Sequence, residues 1–389
     1  METLGGNVFG LVMFLVSAMA LVQILTHYRF FDFIKAKILG LGLGYIKRFW
    51  VIGIVTFILS AIIDNMTASL VIVSIALCIV YGKNLDLTAV GIVVAANAGG
   101  AATPIGDITT FMLWDAKKFT TGEILHWGLL PSITMFAVSM ALLAWQMEKE
   151  KTAVIIEENV PISYSEWCVI TVAFLSFGLP LATHGLGLPS FAGLFFGLAL
   201  TGILIAVFQN FHNWKHKELA KQTFDGLLPE RTDAHCTAKF ETMLAKIDME
   251  TIIFFAGIML AVGALNHAGI LAWLSDALLG KDPALSRLFL GNTFLGILSA
   301  LVDNIPLTRA AISIIKSTDP AIWALLAYTV GTGGSIFTIG SAAGVVTSGK
   351  VKMSFYRYAK LGALPALTGY VAGALVWLGE WYVFPILFK

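Results

Sequence analysis

Charged side chains are scarce in this sequence. Asp, Glu, Lys and Arg make up 13% of its 389 residues, whereas soluble globular domains carry about 25%. The two signs nearly cancel, giving a formal net charge of +1. This composition argues against a soluble domain, and it lacks the excess of basic residues that nucleic-acid binding requires.

Cysteine is also sparse. The chain has three cysteines, Cys78, Cys168 and Cys236, and no two of them form a Cys-x-x-Cys pair. This spacing favours neither a disulfide framework nor a zinc site. The first six residues lack the basic segment of a cleaved signal peptide, so we expect the first apolar run to be a retained helix.

Apolar residues dominate instead. They make up 58% of the chain, and the mean hydropathy is +0.84. A run of about 20 apolar residues crosses a hydrocarbon core of about 30 Å at 1.5 Å per residue. Such spans are predicted at 8–27, 123–146, 166–183, 188–208, 250–267 and 359–387, the last bent at Pro365 or ending near Pro385. The sequence therefore predicts an all-α polytopic membrane protein.

Two polar interruptions recur in this apolar sequence, in the same order. Ile58-Leu-Ser-Ala-Ile-Ile-Asp-Asn65 returns as Ile297-Leu-Ser-Ala-Leu-Val-Asp-Asn304. Each copy is followed by a glycine-rich segment, at residues 99–107 and 333–341, and these segments share the pattern Gly-Gly-x-x-x-x-Ile-Gly. The chain is therefore an internal duplication.

The interruptions predict hairpins and broken helices. Residues 49–81 are cut at Asp64-Asn65 into arms too short to span comfortably, which favours a re-entrant helical hairpin with the pair at its tip. Residues 87–115 are long enough to span, but Gly99 to Gly106, with Pro104, should unwind the middle. The equivalent elements of the second half are a hairpin at 287–316 and a broken helix at 321–347.

These elements divide the chain into three parts. The first repeat is 1–148, with an interfacial helix at 28–48 between its first span and its hairpin. Residues 149–248 hold a charged linker, two spans and a polar cytoplasmic connector at 209–248. The second repeat is 249–389, with a surface segment at 268–286.

The number of crossings predicts the symmetry of the repeats. Five full spans separate corresponding points of the two halves, because a hairpin returns to its own side. An odd number inverts the second repeat, and inverted repeats with broken helices are typical of secondary transporters. Most of the 25 Lys and Arg residues then lie on one side, which the positive-inside rule makes cytoplasmic. Both termini face out, the first hairpin enters from the cytoplasm, and the second enters from outside.

Three aspartates, Asp64, Asp107 and Asp303, lie in this apolar sequence, where an ionisable group is costly unless it faces a cavity or a partner. Hydroxyl and amide oxygens surround them, and hard cations such as Na⁺ prefer an all-oxygen set. Because a carboxylate in a dry site can hold either Na⁺ or H⁺, one such site is enough for exchange. Individual hydroxyls could instead bond their own backbone, and the glycines could serve close helix packing. The oxygen-bearing residues are Ser60, Asn65, Thr67, Ser69, Asn97, Thr103, Thr109, Thr110, Ser299, Asn304, Thr308, Ser335, Thr338 and Ser341.

Four segments carry a resemblance to a known family. They resemble the signature blocks of NhaD-type sodium/proton antiporters of the ion transporter superfamily, whose relatives include arsenite permeases and dicarboxylate symporters. The likeness runs from about residue 8 to the C-terminus, and the second segment is its most specific part. The segments are Ser60-Ala-Ile-Ile-Asp-Asn-Met-Thr67, Asn97-Ala-Gly-Gly-Ala-Ala-Thr-Pro-Ile-Gly-Asp-Ile-Thr-Thr110, Ser299-Ala-Leu-Val-Asp-Asn-Ile-Pro306 and Gly333-Gly-Ser-Ile-Phe-Thr-Ile-Gly-Ser-Ala-Ala-Gly344.

The resemblance implies exchange of cytoplasmic Na⁺, often also Li⁺, for external H⁺, in a bacterial cytoplasmic membrane or an organelle membrane of bacterial origin. It implies a scaffold domain that forms a homodimer within the bilayer. It also implies an elevator-like transport domain that holds both hairpins and both broken helices. No catalytic residue is expected, and no cofactor besides the transported ions.

The same resemblance assigns residues by position. Na⁺ is expected at Asp64, Asp303 and neighbouring hydroxyls. The polar cation-binding positions are Asp64, Asn65, Thr67, Asn97, Asp107, Thr109, Thr110, Asp303, Asn304, Ser335 and Ser341. The hinge or backbone positions are Gly99, Gly100, Pro104, Gly106, Gly333, Gly334 and Gly340. The chain departs from the family at Gln23, where an acidic residue is expected, and at Arg309, which either pairs with Asp303 or reaches water.

Two other functions compete with antiport. A sodium-coupled dicarboxylate symporter or an arsenite-like oxyanion exporter would use the same scaffold, and Arg309 could serve an anion, but three aspartates would repel it. An intramembrane aspartyl protease would use Asp64 and Asp107 as a dyad that shares one proton. Pro104 replaces the first glycine of the Gly-x-Gly-Asp motif of that class, and a single dyad has no use for a duplicated Asp-Asn pair.

Overall fold

The computed structural model describes residues 2–148, 160–222, 240–247, 249–270, 273 and 284–387. Throughout these ranges the regular structure is helical and contains no strand, which confirms the all-α prediction for them. The α-helices are α1 (Glu2–His27), α2 (Phe30–Gly40), α3 (Tyr45–Ser60), α4 (Asn65–Ile79), α5 (Gly82–Ala101), α6 (Ile108–Asp115), α7 (Thr121–Trp145), α8 (Tyr164–Ser176), α9 (Leu179–Gly185), α10 (Ser190–Gln222), α11 (Phe240–Leu244), α12 (Met249–His267), α13 (Leu285–Leu298), α14 (Asn304–Ile314), α15 (Pro320–Gly333), α16 (Ala342–Val351) and α17 (Phe355–Leu387).

Several helical segments suit a membrane. In the described residues, five are long and apolar enough to cross one: Val8–His27, Thr121–Trp145, Tyr164–Gly185, Ser190–Phe211 and Phe355–Val383. They coincide with five of the predicted spans, and α12 covers the sixth. The last helix continues through both Pro365 and Pro385. The chain is therefore an integral membrane protein.

The first compact unit comprises residues 1–37 and 157–254. Here α1 packs against α8 and α10, and α9 packs against α10. The rings of Phe9 and Phe191 meet edge to face, with 5.7 Å between their centroids. In Tyr164–Gly185 and in Ser190–Phe211, only 33% of the most apolar stretch is buried within the protein. Apolar helices with so much exposed surface are suited to contact lipid.

The second compact unit comprises residues 38–156 and 255–389 and holds both predicted hairpins and both broken helices. Its centre is formed by α5 and α15, in which every residue from Leu87 to Ala101 and from Ala321 to Gly333 is buried. Around them pack α3, α4, α7, α13 and α16. Burial on all sides is typical of a helix in the core of a large protein. The breaks that follow α5 and α15 therefore begin in the interior of this unit.

The predicted interfacial helix at 28–48 is wrong in its second half. The helix α2 ends at Gly40, and α3 begins at Tyr45. Between them Gly42 adopts φ +59°, a left-handed conformation that glycine adopts without steric cost. Arg48 therefore belongs to the first arm of the predicted hairpin. It is buried, and its Nη1 donates to the Ile79 carbonyl oxygen at 2.7 Å, which joins the start of α3 to the end of α4.

The first break also differs from the prediction. Unwinding was expected over 99–106, but α5 remains helical through Gly99 and Gly100, and the non-helical residues are 102–107. The glycines serve close approach instead, since a methyl group on Gly99 would overlap the Phe57 carbonyl oxygen. A methyl group on Gly106 would likewise overlap the Ser60 carbonyl oxygen.

The second break repeats these approaches. A methyl group on Gly333 would overlap the Gly296 carbonyl oxygen, and one on Gly340 would overlap the Ser299 carbonyl oxygen. Each of these contacts falls at the position that the repeat predicts from the first half. A short 3-10 turn, Thr338–Gly340, lies within this break.

Parts of three predicted segments lie outside the described residues. These parts are 149–159 of the charged linker, 223–239 and 248 of the connector, and 271–272 and 274–283 of the surface segment. The helix α10 extends the predicted span at 188–208 as far as Gln222, so the start of the connector is helical.

Candidate functional site

In each predicted hairpin and each predicted broken helix, a polar residue directly precedes the second of the two helices. Asp64, Asp107, Asp303 and Ser341 stand directly before α4, α6, α14 and α16. Three of them cap the helix: Asp64 Oδ1 accepts from the Thr67 amide at 2.8 Å, Asp107 Oδ1 from the Thr109 amide at 3.4 Å, and Ser341 Oγ from the Gly344 amide at 3.2 Å. N-capping gives these three side chains a structural role independent of any ion. Asp303 makes no such capping bond.

One group of predicted residues meets around Asn97, and we call Asn65, Asn97, Ser335 and Ser341 the Asn97 cluster. The Asn65 amide donates to Asn97 Oδ1 at 3.2 Å. Asn97 Nδ2 donates to Ser335 Oγ at 2.9 Å and to Ser341 Oγ at 3.0 Å. All four residues are buried. Because both amide hydrogens and the oxygen of Asn97 are used, its side chain is fully satisfied.

A second group meets around Asp107, and we call Asp107, Thr109, Asn304 and Asp303 the Asp107 cluster. Asp107 Oδ2 accepts from the Asn304 amide at 3.2 Å and from the Thr109 hydroxyl at 2.9 Å. Asp303 directly precedes Asn304, so the bond from Asn304 brings the second Asp-Asn pair next to Asp107. Asp107 is only 2% exposed. The cluster thus combines a buried carboxylate with neutral donors from both halves of the chain.

Thr110, the next residue in α6, offers a further oxygen. Its side chain is fully buried, and its hydroxyl has no hydrogen-bond partner in the part of the chain that the structure describes. Buried hydroxyls are nearly always satisfied. An unsatisfied hydroxyl three positions after Asp107 is therefore suited to a ligand.

The remaining predicted hydroxyls bond the backbone. Ser60 Oγ donates to the Ala96 carbonyl at 2.5 Å, and Ser299 Oγ donates to the Val330 carbonyl at 2.9 Å, at matching positions of the two repeats. These bonds tie each predicted hairpin to the long helix that follows it. The others bond as follows: Thr103 to the Ala61 carbonyl, Ser69 to the Met66 carbonyl, Thr308 to the Asn304 carbonyl, and Thr338 to the Gly344 carbonyl and the Ser348 hydroxyl.

The structure leaves some predicted residues outside both clusters. Asp64 and Thr67 bond one another at the start of α4, and no bond from either to Asp107 or Asp303 occurs among the described residues. Arg309 is partly buried, and within the same ranges it forms no ion pair with Asp303.

Two residues of this region were not predicted. The Tyr358 hydroxyl, fully buried, donates to the Ser335 carbonyl oxygen at 2.8 Å and ties α17 to the second break. Gly331 lies against Asp107, since a methyl group on it would be 3.3 Å from Asp107 Oδ2. The internal repeat carried a signal for Gly331, because that residue aligns with Asn97.

Known proteins resemble the chain over most of its length. The CitMHS family model, described as citrate transporter, matches residues 1–333. The Na⁺/H⁺ antiporter NhaD of Alkalimonas amylolytica is 29% identical over 385 residues, which cover 95% of this chain and 76% of that protein. The proteins of the same name from Halomonas elongata and Vibrio parahaemolyticus are each 30% identical. Those matches cover 95% and 92% of this chain, and 74% and 86% of the relatives. The chain therefore belongs to the CitMHS family and to the family of NhaD-type Na⁺/H⁺ antiporters.

Proposed function

We propose that this protein is a secondary transporter that exchanges cytoplasmic Na⁺, and also Li⁺, for external H⁺. The relatives are transporters rather than enzymes, and their names supply the two ions. The observation that carries the proposal is the Asp107 cluster. In it a buried carboxylate is held by an amide and a hydroxyl, and no Lys or Arg pairs with it among the described residues.

The chemistry of exchange follows from burial. A carboxylate that stays charged away from water, without a partner, costs several kcal/mol. Asp107 is therefore stable in its buried position when it holds either a proton or a metal cation. Its own oxygens, with those of Thr109, Thr110 and Asn304, form the kind of ligand set that Na⁺ accepts. Since the two ions compete for one carboxylate, each can leave only as the other arrives.

The second carboxylate increases this competition. Asp303 is half-buried and directly precedes Asn304, which bonds Asp107, and two negative charges close together away from water repel unless a cation or a proton lies between them. A monovalent cation bound by both would relieve that repulsion. We assign Na⁺ binding to this pair, with Asp64 in an accessory position at the neighbouring helix end.

The proposed architecture is a pair of inverted repeats. The helix pairs α3–α4 and α13–α14 would be re-entrant hairpins entering from opposite sides, and α5–α6 and α15–α16 would be broken spans. Matching hydrogen bonds and glycine contacts in the two halves support the equivalence. Transport would be an elevator-like movement of the domain that holds these elements, in a homodimer with both termini on the outer side of a bacterial or bacteria-derived membrane.

Proteoliposomes containing a pH-sensitive dye test the function. Added NaCl or LiCl should move protons across the membrane with no organic anion present. Asp107→Asn and Asp303→Asn should each abolish that movement, because an amide cannot exchange a proton for a cation. Asn caps helices as well as Asp does, so Asp107→Asn removes the charge and leaves the cap.

Asp319→Asn is the matched control. Asp319 caps α15 through the Ala321 amide at 2.9 Å and belongs to neither cluster. It should keep full exchange. Exchange that survives both cluster substitutions would reject the site, and an unmodified protein that moves no protons in response to either cation would reject the function.

The family model that matches this chain is described as a citrate transporter, which suggests citrate as an alternative substrate. Citrate carries several negative charges, and the Asp107 cluster presents carboxylates where a citrate site needs cations or amide donors. We therefore place cation exchange ahead of a sodium-coupled carboxylate symporter or an oxyanion exporter. Uptake of labelled citrate or a dicarboxylate driven by a Na⁺ gradient, without proton movement in its absence, would reverse that order.

A further inference from the structure

The two clusters occupy matching positions in the duplicated sequence but differ in their residues. Because Gly99 aligns with Gly333, the repeat pairs Asn97 with Gly331. The same alignment pairs Ala101 with Ser335, Asp107 with Ser341, and Thr109 with Ala343. The Asn97 cluster therefore has an amide at the position where the Asp107 cluster has no side chain.

In the Asn97 cluster, this amide uses all of its hydrogen-bonding groups within the cluster. The amide of Asn97 reaches across to Ser335 and Ser341 and uses both of its hydrogens in doing so. The cluster contains no carboxylate, and Asn97 has nothing left to donate. It joins the two halves as a neutral link.

The Asp107 cluster has a different geometry at the matching position. A methyl group on Gly331 would lie 3.1 Å from Ala101 Cβ, 3.3 Å from Asp107 Oδ2 and 3.7 Å from Thr109 Oγ1. The α-carbon of Gly331 thus faces the very oxygen that accepts from Thr109 and Asn304. Any larger residue here would press on the carboxylate or take up the space next to it.

A second observation points to a ligand in this region. Thr110 directly follows Thr109 in α6. Its buried hydroxyl has no hydrogen-bond partner within the described residues, whereas the Thr109 hydroxyl bonds Asp107. A cation held by Asp107 would be a suitable partner for an oxygen of this kind. Selectivity among hard cations depends on the size of the space and the number of oxygens around it.

We propose that Gly331, which has no side chain at the position that Asn97 occupies in the other cluster, determines which size of monovalent cation the Asp107 cluster accepts. This inference rests on the proposed function, because it assigns the cation to Asp107. A methyl group at this position reduces the space beside Asp107 Oδ2. It therefore disfavours Na⁺ more than the smaller Li⁺.

The test compares the two cations in the full-length protein in proteoliposomes. Gly331→Ala should raise the half-saturating Na⁺ concentration about tenfold more than the half-saturating Li⁺ concentration, which is at the low end of what one methyl group changes in a fitted pocket. Gly128→Ala is the matched control, since its methyl group would lie 2.9 Å from Ile124 Cδ1 and outside the cluster. It should leave the Na⁺ to Li⁺ ratio unchanged.

A double variant separates selectivity from packing. The closest neighbour of the added methyl group is Ala101 Cβ, so Gly331→Ala combined with Ala101→Gly removes that contact and leaves the approach to Asp107. It should fold as the parent does and keep the altered ratio. A parental ratio in the double variant, or equal shifts for both cations in Gly331→Ala, would overturn the proposal.

A binding measurement keeps this test independent of turnover. The rise in unfolding temperature with added NaCl or LiCl reports cation binding by the purified protein, and the same change in ratio is expected. If the unmodified protein binds the cations but moves no protons, the proposed exchange fails while the role of Gly331 is still decided. If the parent, Gly331→Ala and the double variant all showed the same preference between Na⁺ and Li⁺, that role would be rejected.

Discussion

The side-chain amide of Asn304 donates to the carboxylate of Asp107 across 3.2 Å. The two residues are 197 positions apart and belong to different copies of the duplicated sequence. One stands at the tip of the second predicted hairpin and the other at the first break. Neither copy alone could form the Asp107 cluster, so a function that depends on it requires both halves.

Removing this amide should weaken Na⁺ binding. In Asn304→Ala the carboxylate loses a donor that orients it and stabilises its charged form, and hydrogen bonds to charged groups contribute about 1.5–3 kcal/mol. The half-saturating Na⁺ concentration for exchange in proteoliposomes should therefore rise by about tenfold or more.

The control for Asn304 is another buried asparagine. Asn84 bonds the backbone of Glu148 through both its amide and its oxygen, at 3.0 and 2.9 Å, and belongs to neither cluster. Asn84→Ala should lower the unfolding temperature and leave the Na⁺ dependence unchanged. Equal Na⁺ shifts in the two variants would mean that the effect of Asn304 is only structural.

The aspartates of the two Asp-Asn pairs should differ in what they stabilise. Asp64 caps α4, so Asp64→Ala should lower the free energy of unfolding by about 1 kcal/mol, the usual cost of a lost N-cap. Asp303 makes no capping bond, so Asp303→Ala should cost less. Denaturation in detergent measures both.

Transport should rank the same two variants in the opposite order. Asp303 adjoins Asn304, which bonds Asp107, whereas Asp64 has no described bond to Asp107, so exchange should fall further in Asp303→Ala. If Asp64→Ala were the more damaging to exchange while leaving stability intact, the assignment of the pair Asp107 and Asp303 would be wrong.

Sequence patterns predicted most of the helices, the spans and the residues at which the helices after the breaks begin, for a physical reason. A polar side chain within a long apolar run finds hydrogen-bond partners most readily at a helix end. Asp64 and Asp303 therefore indicated where α4 and α14 begin. The N-cap role of Asp107 follows from the same principle. Repetition of these signals predicted which elements would correspond.

The partners of each polar residue were beyond the reach of the sequence. Nothing local indicates that Asn97 bonds Ser335 and Ser341 rather than residues of its own half, because such contacts depend on how α5 and the second break pack. Glycine was ambiguous for a related reason. Gly99 and Gly100 read as helix breakers, yet they stay helical because close contact with another backbone, not flexibility, requires them there.

Two arginines at matching positions, Arg48 and Arg287, should have unequal effects on stability. Arg48 is buried and donates to the Ile79 carbonyl at the end of α4, so Arg48→Ala should lower the free energy of unfolding by about 1.5–3 kcal/mol. Arg287 stands at the same point of α13 and is exposed, so Arg287→Ala should change it by about 0.5 kcal/mol or less. Similar losses in chemical denaturation would show that position in the repeat, rather than burial, governs these side chains.

The contact of each break with the preceding helix end should tolerate no side chain. A methyl group on Gly106 would overlap the Ser60 carbonyl oxygen, which is backbone and cannot swing away. Gly106→Ala should therefore cost about 3 kcal/mol or more, at the upper end for overpacking. Gly122 has no atom within 4 Å of its added methyl group, so Gly122→Ala should be neutral or slightly stabilising in α7.

The second break extends this prediction to the repeat itself. Gly340 meets the Ser299 carbonyl oxygen as Gly106 meets that of Ser60, so Gly340→Ala should match Gly106→Ala in the fall of its unfolding temperature. The loss in Gly340→Ala should be independent of added NaCl, because Gly340 precedes Ser341 of the Asn97 cluster, which contains no carboxylate. A Gly340→Ala protein as stable as the parent would mean that the two breaks share a sequence pattern without sharing the packing that the pattern predicts.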